Sequence, residues 1–261
     1  MVSERTRLRM IARLREQGIG DEVVLAAMAA VPRHLFVEEA LSSRAYEDTA
    51  LPIGFAQTIS QPYVVARSCE LLRAGKDIDL ALEIGGGCGY QAAVLARLAR
   101  EVYTIERIGA LAAKARQTLS SIGVSNVKVR NADGQDAASN VVQFDAIVVA
   151  AGGSKIPPNL LGLMADGGRM VLPLGSPERQ RLTLVTRSGD TFQQTAFDEV
   201  VFVRPASVVA VRANRAGSPC VRRQPSGPIN WAVFSSHLPR PRWRQTARRS
   251  TPRPDHRRCA L

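Results

Sequence analysis

The chain has 261 residues and a formal net charge of +12, a length that supports one good core with an appendage. The charge is not spread evenly: 13 of the 35 bases and one of the 23 acids follow Val203, which leaves 22 of each in the first 203 residues. That neutrality excludes a body built to attract polyanions, so contact with nucleic acid is expected only through the tail and only non-specifically.

From the N-terminus, Leu8, Ile11 and Leu14 recur at helical spacing in residues 4–17, and "MVSERTRLRMIARLREQG" carries charges throughout with no apolar core segment, so it is not expected to be a signal sequence. Asp21 is placed to cap a second helix that Pro32 ends after Val31. An uncharged stretch, "ALPIGFAQTISQPYVVA", follows from Ala50 to Ala66, and its two prolines and one glycine forbid a long regular element. Pro62 suits the first turn of a third helix, closed by Gly75.

Beyond Leu80 the pattern alternates. "LALEIGGG" is a strand meeting a Gly-rich turn, "YQAAVLARLAR" a helix, "EVYTIE" a strand and "GALAAKARQTLSSIG" a helix stopped at Gly123. "NVKVRNADG" and "FDAIVVAAGG" are strands, "PPNLLGLMADGG" a short helix begun by Pro157 and Pro158, and "RMVLPLG", "QRLTLVTRSG" and "TFQQTAFDEVVFV" are three more strands. Strands alternating with helices predict a doubly wound α/β domain with a mostly parallel seven-stranded sheet, an antiparallel pair at its end and a helical segment before it. The domain is expected to span residues 1–203, with helices and the uncharged loop in 1–75 and the core in 76–203. Residues 204–261 hold eight of the 15 prolines and no lysine, show no periodicity, and are expected to be a disordered basic tail. The four cysteines, Cys69, Cys88, Cys220 and Cys259, have no paired spacing, which argues against a disulfide framework or a metal centre and for a reducing, cytoplasmic setting. No apolar run is long enough to span a bilayer, and a monomer is expected.

The strand–turn–helix "LEIGGGCGYQ" sets Gly85, Gly87 and Gly89 at alternate positions after Glu83. A dinucleotide fingerprint would need a glycine at Tyr90 or Ala92 instead, and a pyrophosphate would be repelled by Glu83. A cationic, phosphate-free ligand would not be, and S-adenosyl-L-methionine is such a ligand. Glu106 ends the next strand, 21 residues after Gly85, where a carboxylate can accept both ribose hydroxyls. Asp133 and Gly134 end the third strand, where the adenine edge would lie.

Between Thr49 and Ala66 there is no His, Asp, Glu or Lys, so the loop has no general base to offer. A carboxylate acceptor needs none, because it is already ionised at neutral pH and has only to be desolvated and aimed. Taken alone, Ser60 could equally be the cap of the helix at Pro62.

The segments "LPIGFAQTISQPYVVA", "LEIGGGCGYQ", "ERI" at 106–108, "FDAIVV", "VPRHLFV" at 31–37 and "LPLG" at 172–175 together resemble the protein-L-isoaspartate O-methyltransferase family over about residues 1–203. The resemblance implies methyl transfer to the free α-carboxylate of L-isoaspartyl residues in damaged proteins and peptides, followed by collapse to a succinimide. It implies that Ser60 is the active-site hydroxyl, beside the cofactor, and that Gln57, Thr58 and Ile59 line the peptide site. It departs from the family pattern in three places: Ala56 replaces a glycine, Gly86 and Cys88 replace Thr and Ser, and "VFV" runs into Arg204-Pro205 where Pro-Leu is usual. The rivals are an S-adenosylmethionine-binding protein with reduced or lost isoaspartyl activity, and a methyltransferase for RNA or a small molecule.

Overall fold

A computed structural model of the protein describes residues 4–134, 142–176 and 178–200. The expectations for residues 201–261, the tail and the altered end of the last strand, fall outside the described residues.

Three helices lead in: α1 (Glu4–Glu16), α2 (Glu22–Ala30) and α3 (Pro62–Arg73). Asp21 caps α2 as its sequence position predicts, its Oδ1 accepting from Val23 N at 2.9 Å and Val24 N at 3.3 Å. The same side chain pairs with Arg73 at 2.6 Å, and Glu70 of α3 accepts from Gly20 N at 2.7 Å, so the α1–α2 junction is fastened to the end of α3. The left-handed cap of α3 falls on Ala74 (φ 46°), one residue before the expected Gly75.

The uncharged stretch forms a small antiparallel hairpin, β1 (Leu51–Gly54) and β2 (Gln57–Ile59). Its two turn residues, Phe55 (φ 55°) and Ala56 (φ 54°), are both left-handed. Two left-handed central residues make a turn whose twist matches the strands it joins, the geometry that Asn-Gly usually supplies. An alanine there accepts a strain of about 1 kcal/mol that a glycine would avoid.

The main sheet has seven strands: β3 (Ile78–Ile84), β4 (Ala99–Glu106), β5 (Val127–Asn131), β6 (Phe144–Val149), β7 (Met164–Gly175), β8 (Gln180–Ser188) and β9 (Thr191–Val200). Their order is β5-β4-β3-β6-β7-β8-β9. The pairs from β5 through β7 are parallel, and β7–β8 and β8–β9 are antiparallel, as the alternation and the closing hairpin predict. Helices α4 (Tyr90–Leu95), α5 (Gly109–Ser121) and α6 (Pro158–Leu161) connect the parallel strands. The chain runs outward from β3 to β5 and returns to β6, so the order reverses at β3, and the crevice beyond its carboxyl end is the switch point of the sheet.

Two helix limits differ from expectation. The helix read through Arg100 stops at Leu95, because Ala99 already pairs with Ile78 in the sheet and Asn126 Nδ2 holds the intervening turn through Ala96 O at 2.9 Å. The helix begun at Pro157 and Pro158 lasts one turn, and "MADGG" enters β7 as a bent lead-in that turns at Gly167 (φ 75°). In both places the strand's ladder outweighs the weak preference of a few small residues for helix.

Candidate active site

The carboxyl ends of β3, β4, β5 and β6 and the β1–β2 hairpin enclose a crevice of about 350 Å³, within the usual range for a small-molecule site. Gln57, Thr58, Ile59 and Ser60 line it from the hairpin side. Glu83, Gly85, Gly87, Glu106, Asp133 and Gly134 line it from the sheet side. Of the site residues read from the sequence, Gly89 alone lies outside the lining. A Cβ there would sit 3.1 Å from Ala115 Cβ, so this glycine (φ 88°) lets α4 pack on α5 and holds the turn's shape.

Glu106 is 7% exposed, and its position is set by the backbone: Oε2 accepts from Gly87 N at 2.8 Å and Oε1 from Ile108 N at 2.7 Å. Each oxygen keeps a lone pair for a further donor, the arrangement a pair of vicinal hydroxyls requires. Gly85 (φ 88°) and Gly87 (φ 53°) take left-handed conformations at the tip of β3. Ile53 of the hairpin rests on Gly87, 3.2 Å from where a Cβ would be, so the glycine is what lets the hairpin close over the turn. At Gly134 an added Cβ would overlap Ile84, which shows how closely the end of β5 approaches the end of β3.

Glu83 is 1% exposed and accepts from Thr104 Oγ1 at 2.6 Å. Burial pushes its carboxyl up to about 7, with the Glu106 carboxylate pushing the same way against the Thr104 hydroxyl. Gly86 has a physical reason in this structure: a Cβ there would overlap Thr104 Oγ1, whose hydroxyl occupies that space and bonds Glu83. The raised carboxyl sets a pH dependence. Between about 4.5 and about 7 the folded protein binds a proton at Glu83 that the unfolded chain has released, so stability falls as pH rises through that window. The whole effect is about 3 kcal/mol. Denaturant unfolding at pH 5 and pH 7.5 is expected to show this loss in the wild type relative to Glu83→Gln, which keeps the bond to Thr104 and cannot ionise.

Ser60 does not cap α3. The cap position is Gln61, with no side-chain capping bond. Ser60's carbonyl instead accepts from Arg33 Nη2 at 2.7 Å. Arg33, on the short 3-10 turn Arg33–Phe36, is fully buried, donates from Nε to Ala45 O at 2.7 Å, and stacks its guanidinium over the Tyr90 ring at 4.6 Å. One side chain therefore ties the Ser60 loop to the first residue of α4, directly after the glycine turn. Arg33 carries little local signal beyond being a cation within the otherwise mostly apolar "VPRHLFV". Gln91, Arg107 and Lys155 also line the crevice, and no spacing in the sequence gives them a role.

Arg33→Met is expected to lower turnover at least tenfold while changing stability by no more than about 2 kcal/mol. Losing two charged hydrogen bonds, at about 1.5–3 kcal/mol each, is offset by removing a desolvated cation. Single-turnover rates beside denaturant unfolding separate the two effects. Equal losses in rate and folded fraction would make Arg33 purely structural.

The hairpin is seated on the glycine turn, Glu106 ends β4 and Asp133 follows β5 by two residues, and comparison with known proteins settles the family. The model of the protein-L-isoaspartate(D-aspartate) O-methyltransferase family matches residues 5–209. The chain belongs to this family. Among curated members it is 55% identical to the protein-L-isoaspartate O-methyltransferase of Dechloromonas aromatica over 204 residues, covering 78% of this chain and 94% of the relative. It is 54% identical to that of Methylobacillus flagellatus over 207 residues, covering 78% and 92%. The fold agrees with a solved protein-L-isoaspartate O-methyltransferase at a TM-score of 0.69 and 26% identity, covering 77% of this chain and 66% of that one. It also agrees with a beta-aspartate methyltransferase from Plasmodium falciparum, crystallised with S-adenosyl-L-homocysteine, at a TM-score of 0.65 and 23% identity, covering 75% and 96%. The Q-T-I-S-Q-P block, residues 57–62, falls within the matched region and forms β2 and the entry to α3.

Proposed function

We infer that the protein transfers a methyl group from S-adenosyl-L-methionine to the free α-carboxylate of L-isoaspartyl residues in damaged proteins and peptides, the first step of a repair that proceeds through a succinimide. The observation that carries the reading is the seating of the uncharged Ser60 hairpin on the glycine turn, which sets an acceptor loop and a nucleoside crevice against each other.

The residues present fit the cofactor. The β3 turn and the segment after β5 leave no room for side chains at Gly86 and Gly134, both Glu106 oxygens are aimed by backbone N–H groups, and Glu83 is a lining carboxyl whose ionised form a ligand's ammonium and sulfonium would favour against the burial that raises it. When bound, S-adenosylmethionine supplies an electrophilic methyl group. In this reading Glu106 accepts the ribose hydroxyls, and Asp133 and Gly134 meet the adenine. Ser60 donates its hydroxyl to the acceptor carboxylate, while Gln57, Thr58 and Ile59 hold the peptide and exclude water. No residue has to take a proton, because the acceptor is already ionised. A neutral donor orients it with less ground-state stabilisation than a buried cation in direct contact would give.

The body's balanced charge, 22 bases and 22 acids before residue 204, disfavours an RNA substrate, and the basic tail accounts for no more than salt-sensitive contact with polyanions. Among the described residues no helix is long and apolar enough to cross a membrane. A cytoplasmic monomer with its catalytic body in residues 1–203 completes the proposal.

The product is an ester. Protein labelled with a tritiated methyl group should release volatile methanol on brief exposure to alkali. Label that is stable to alkali would mark an amine or RNA methyltransferase.

A further inference from the structure

Strand β9 closes the outer edge of the sheet, and its pairing with β8 slips by one residue near its end. Arg181 faces Glu199 and Thr183 faces Ala196, so Phe197 and Asp198 stand together against Leu182. An extra residue in one strand of an antiparallel pair is a bulge, and a bulge re-aims the side chains it carries. In a regular strand Phe197 and Asp198 would point to opposite faces. Here both meet α3. The Arg67 guanidinium lies 5.3 Å from the centre of the Phe197 ring. Asp198 accepts from the Tyr63 hydroxyl through Oδ1 at 3.1 Å and from Arg67 Nε through Oδ2 at 3.1 Å. The Phe197 carbonyl accepts from Arg181 Nε at 2.9 Å, so the bulge leaves that group paired.

Stability alone is a poor account of this clamp. Arg67 and Asp198 keep 23% and 34% of their side chains exposed, and an ion pair so open to water contributes little. Its location is what distinguishes it. Tyr63 is the second residue of α3 and follows Ser60 by three positions. Its backbone N–H donates to Asp48 Oδ1 at 2.9 Å, which satisfies a first-turn donor that Gln61 leaves uncapped. Asp48 and Asp198 therefore hold the first turn of α3 at the backbone and at a side chain. On the other side of the loop, Arg33 anchors the Ser60 carbonyl at 2.7 Å. The two anchors together set the direction in which the Ser60 side chain leaves the chain.

We propose that Asp198 is a positioning residue for methyl transfer, acting through Tyr63 and Arg67 to hold the first turn of α3 and so the aim of the Ser60 hydroxyl. The proposal rests on the reading above, in which that hydroxyl meets the acceptor carboxylate. It makes the far edge of the sheet a support of the acceptor site, although no residue of β9 lines the crevice.

Single-turnover methylation at saturating cofactor and peptide, measured in a double-mutant cycle of Asp198→Ala with Ser60→Ala, tests this. Rates are counted per site that binds S-adenosylhomocysteine in calorimetry, which leaves misfolded protein out. Asp198→Ala alone is expected to be slower by about tenfold or more, as for a misaimed reacting group, with S-adenosylhomocysteine affinity unchanged. In the Ser60→Ala background the same change should cost nothing further. Tyr63→Phe, which removes one oxygen and keeps the ring, should lose part of the same rate, and only while the Ser60 hydroxyl is present. Equal losses with and without that hydroxyl, or no loss at all, would overturn the proposal. Amide hydrogen exchange judges the clamp without turnover: residues 57–61 should exchange faster in Asp198→Ala while β3 and β4 keep their protection, and unchanged exchange there would overturn it as well. A wild-type protein that methylates nothing, yet shows this difference in exchange, would fail the functional reading and leave the clamp standing.

Discussion

Glu106→Ala is expected to weaken S-adenosylmethionine binding by about 2–3 kcal/mol, roughly 30- to 150-fold. Two losses combine. The ribose loses a charged acceptor, and Gly87 N and Ile108 N lose the carboxylate that fixes the turn. Glutamine should not rescue the site. Its amide has one oxygen, and each Glu106 oxygen already faces a backbone donor, so an NH2 group would be set against an N–H at one position. Calorimetric titration of wild type, Glu106→Ala and Glu106→Gln checks this, with the thermal midpoint of each variant reporting whether it folds. A wild-type affinity in Glu106→Ala would remove the nucleoside from the crevice beside β4.

Ser60→Ala should act on the other ligand. We expect turnover to fall about a hundredfold, as when one donor is removed from a developing reaction centre, with cofactor affinity unchanged. The separation follows from the structure. The backbone carbonyl of Ser60, held by Arg33, is untouched by the substitution, and α3 starts from Gln61 without using the hydroxyl. Neither the hairpin nor the helix therefore loses an anchor. Single-turnover methylation at saturating cofactor measures the effect. Unaltered turnover would leave Ser60 as a lining residue with no part in the chemistry.

The sheet was legible because its signals are local and repeated. Apolar runs such as "FDAIVV" end at glycines or acids, and helical stretches separate them, which fixes the parallel layout before any contact is known. The acids of the crevice were legible for the same reason: Glu106 ends β4, and Asp133 lies two residues past the end of β5, where the sequence had it closing the strand. The hairpin was harder, because its turn uses Phe55 and Ala56 in place of the Asn-Gly that would announce it. Arg33 and Gln91 were barely legible. Arg33 meets Ser60 27 positions along the chain, and Gln91 looks from its neighbours like any polar residue on a short helix. The place of Arg33 comes from its bonds to Ser60 O and Ala45 O, and that of Gln91 from its burial in the crevice wall, properties of the packed molecule that no spacing encodes. Gly89 shows the converse. Its place in an alternating glycine run suggested a ligand contact, and the packed structure uses it to seat α4 on α5.

Methyl transfer to an isoaspartyl carboxylate is read most directly by a labelled-methyl assay on two peptides of identical sequence, one with an L-isoaspartyl residue and its twin with L-aspartate. The twins share every side chain and differ only in which carboxyl lies in the main chain, so the comparison isolates recognition of the free α-carboxylate. Alkali-labile methyl incorporation is expected into the isoaspartyl peptide and none above background into the aspartyl twin. Equal labelling of both peptides, or of neither by a protein that binds S-adenosylmethionine, would contradict it.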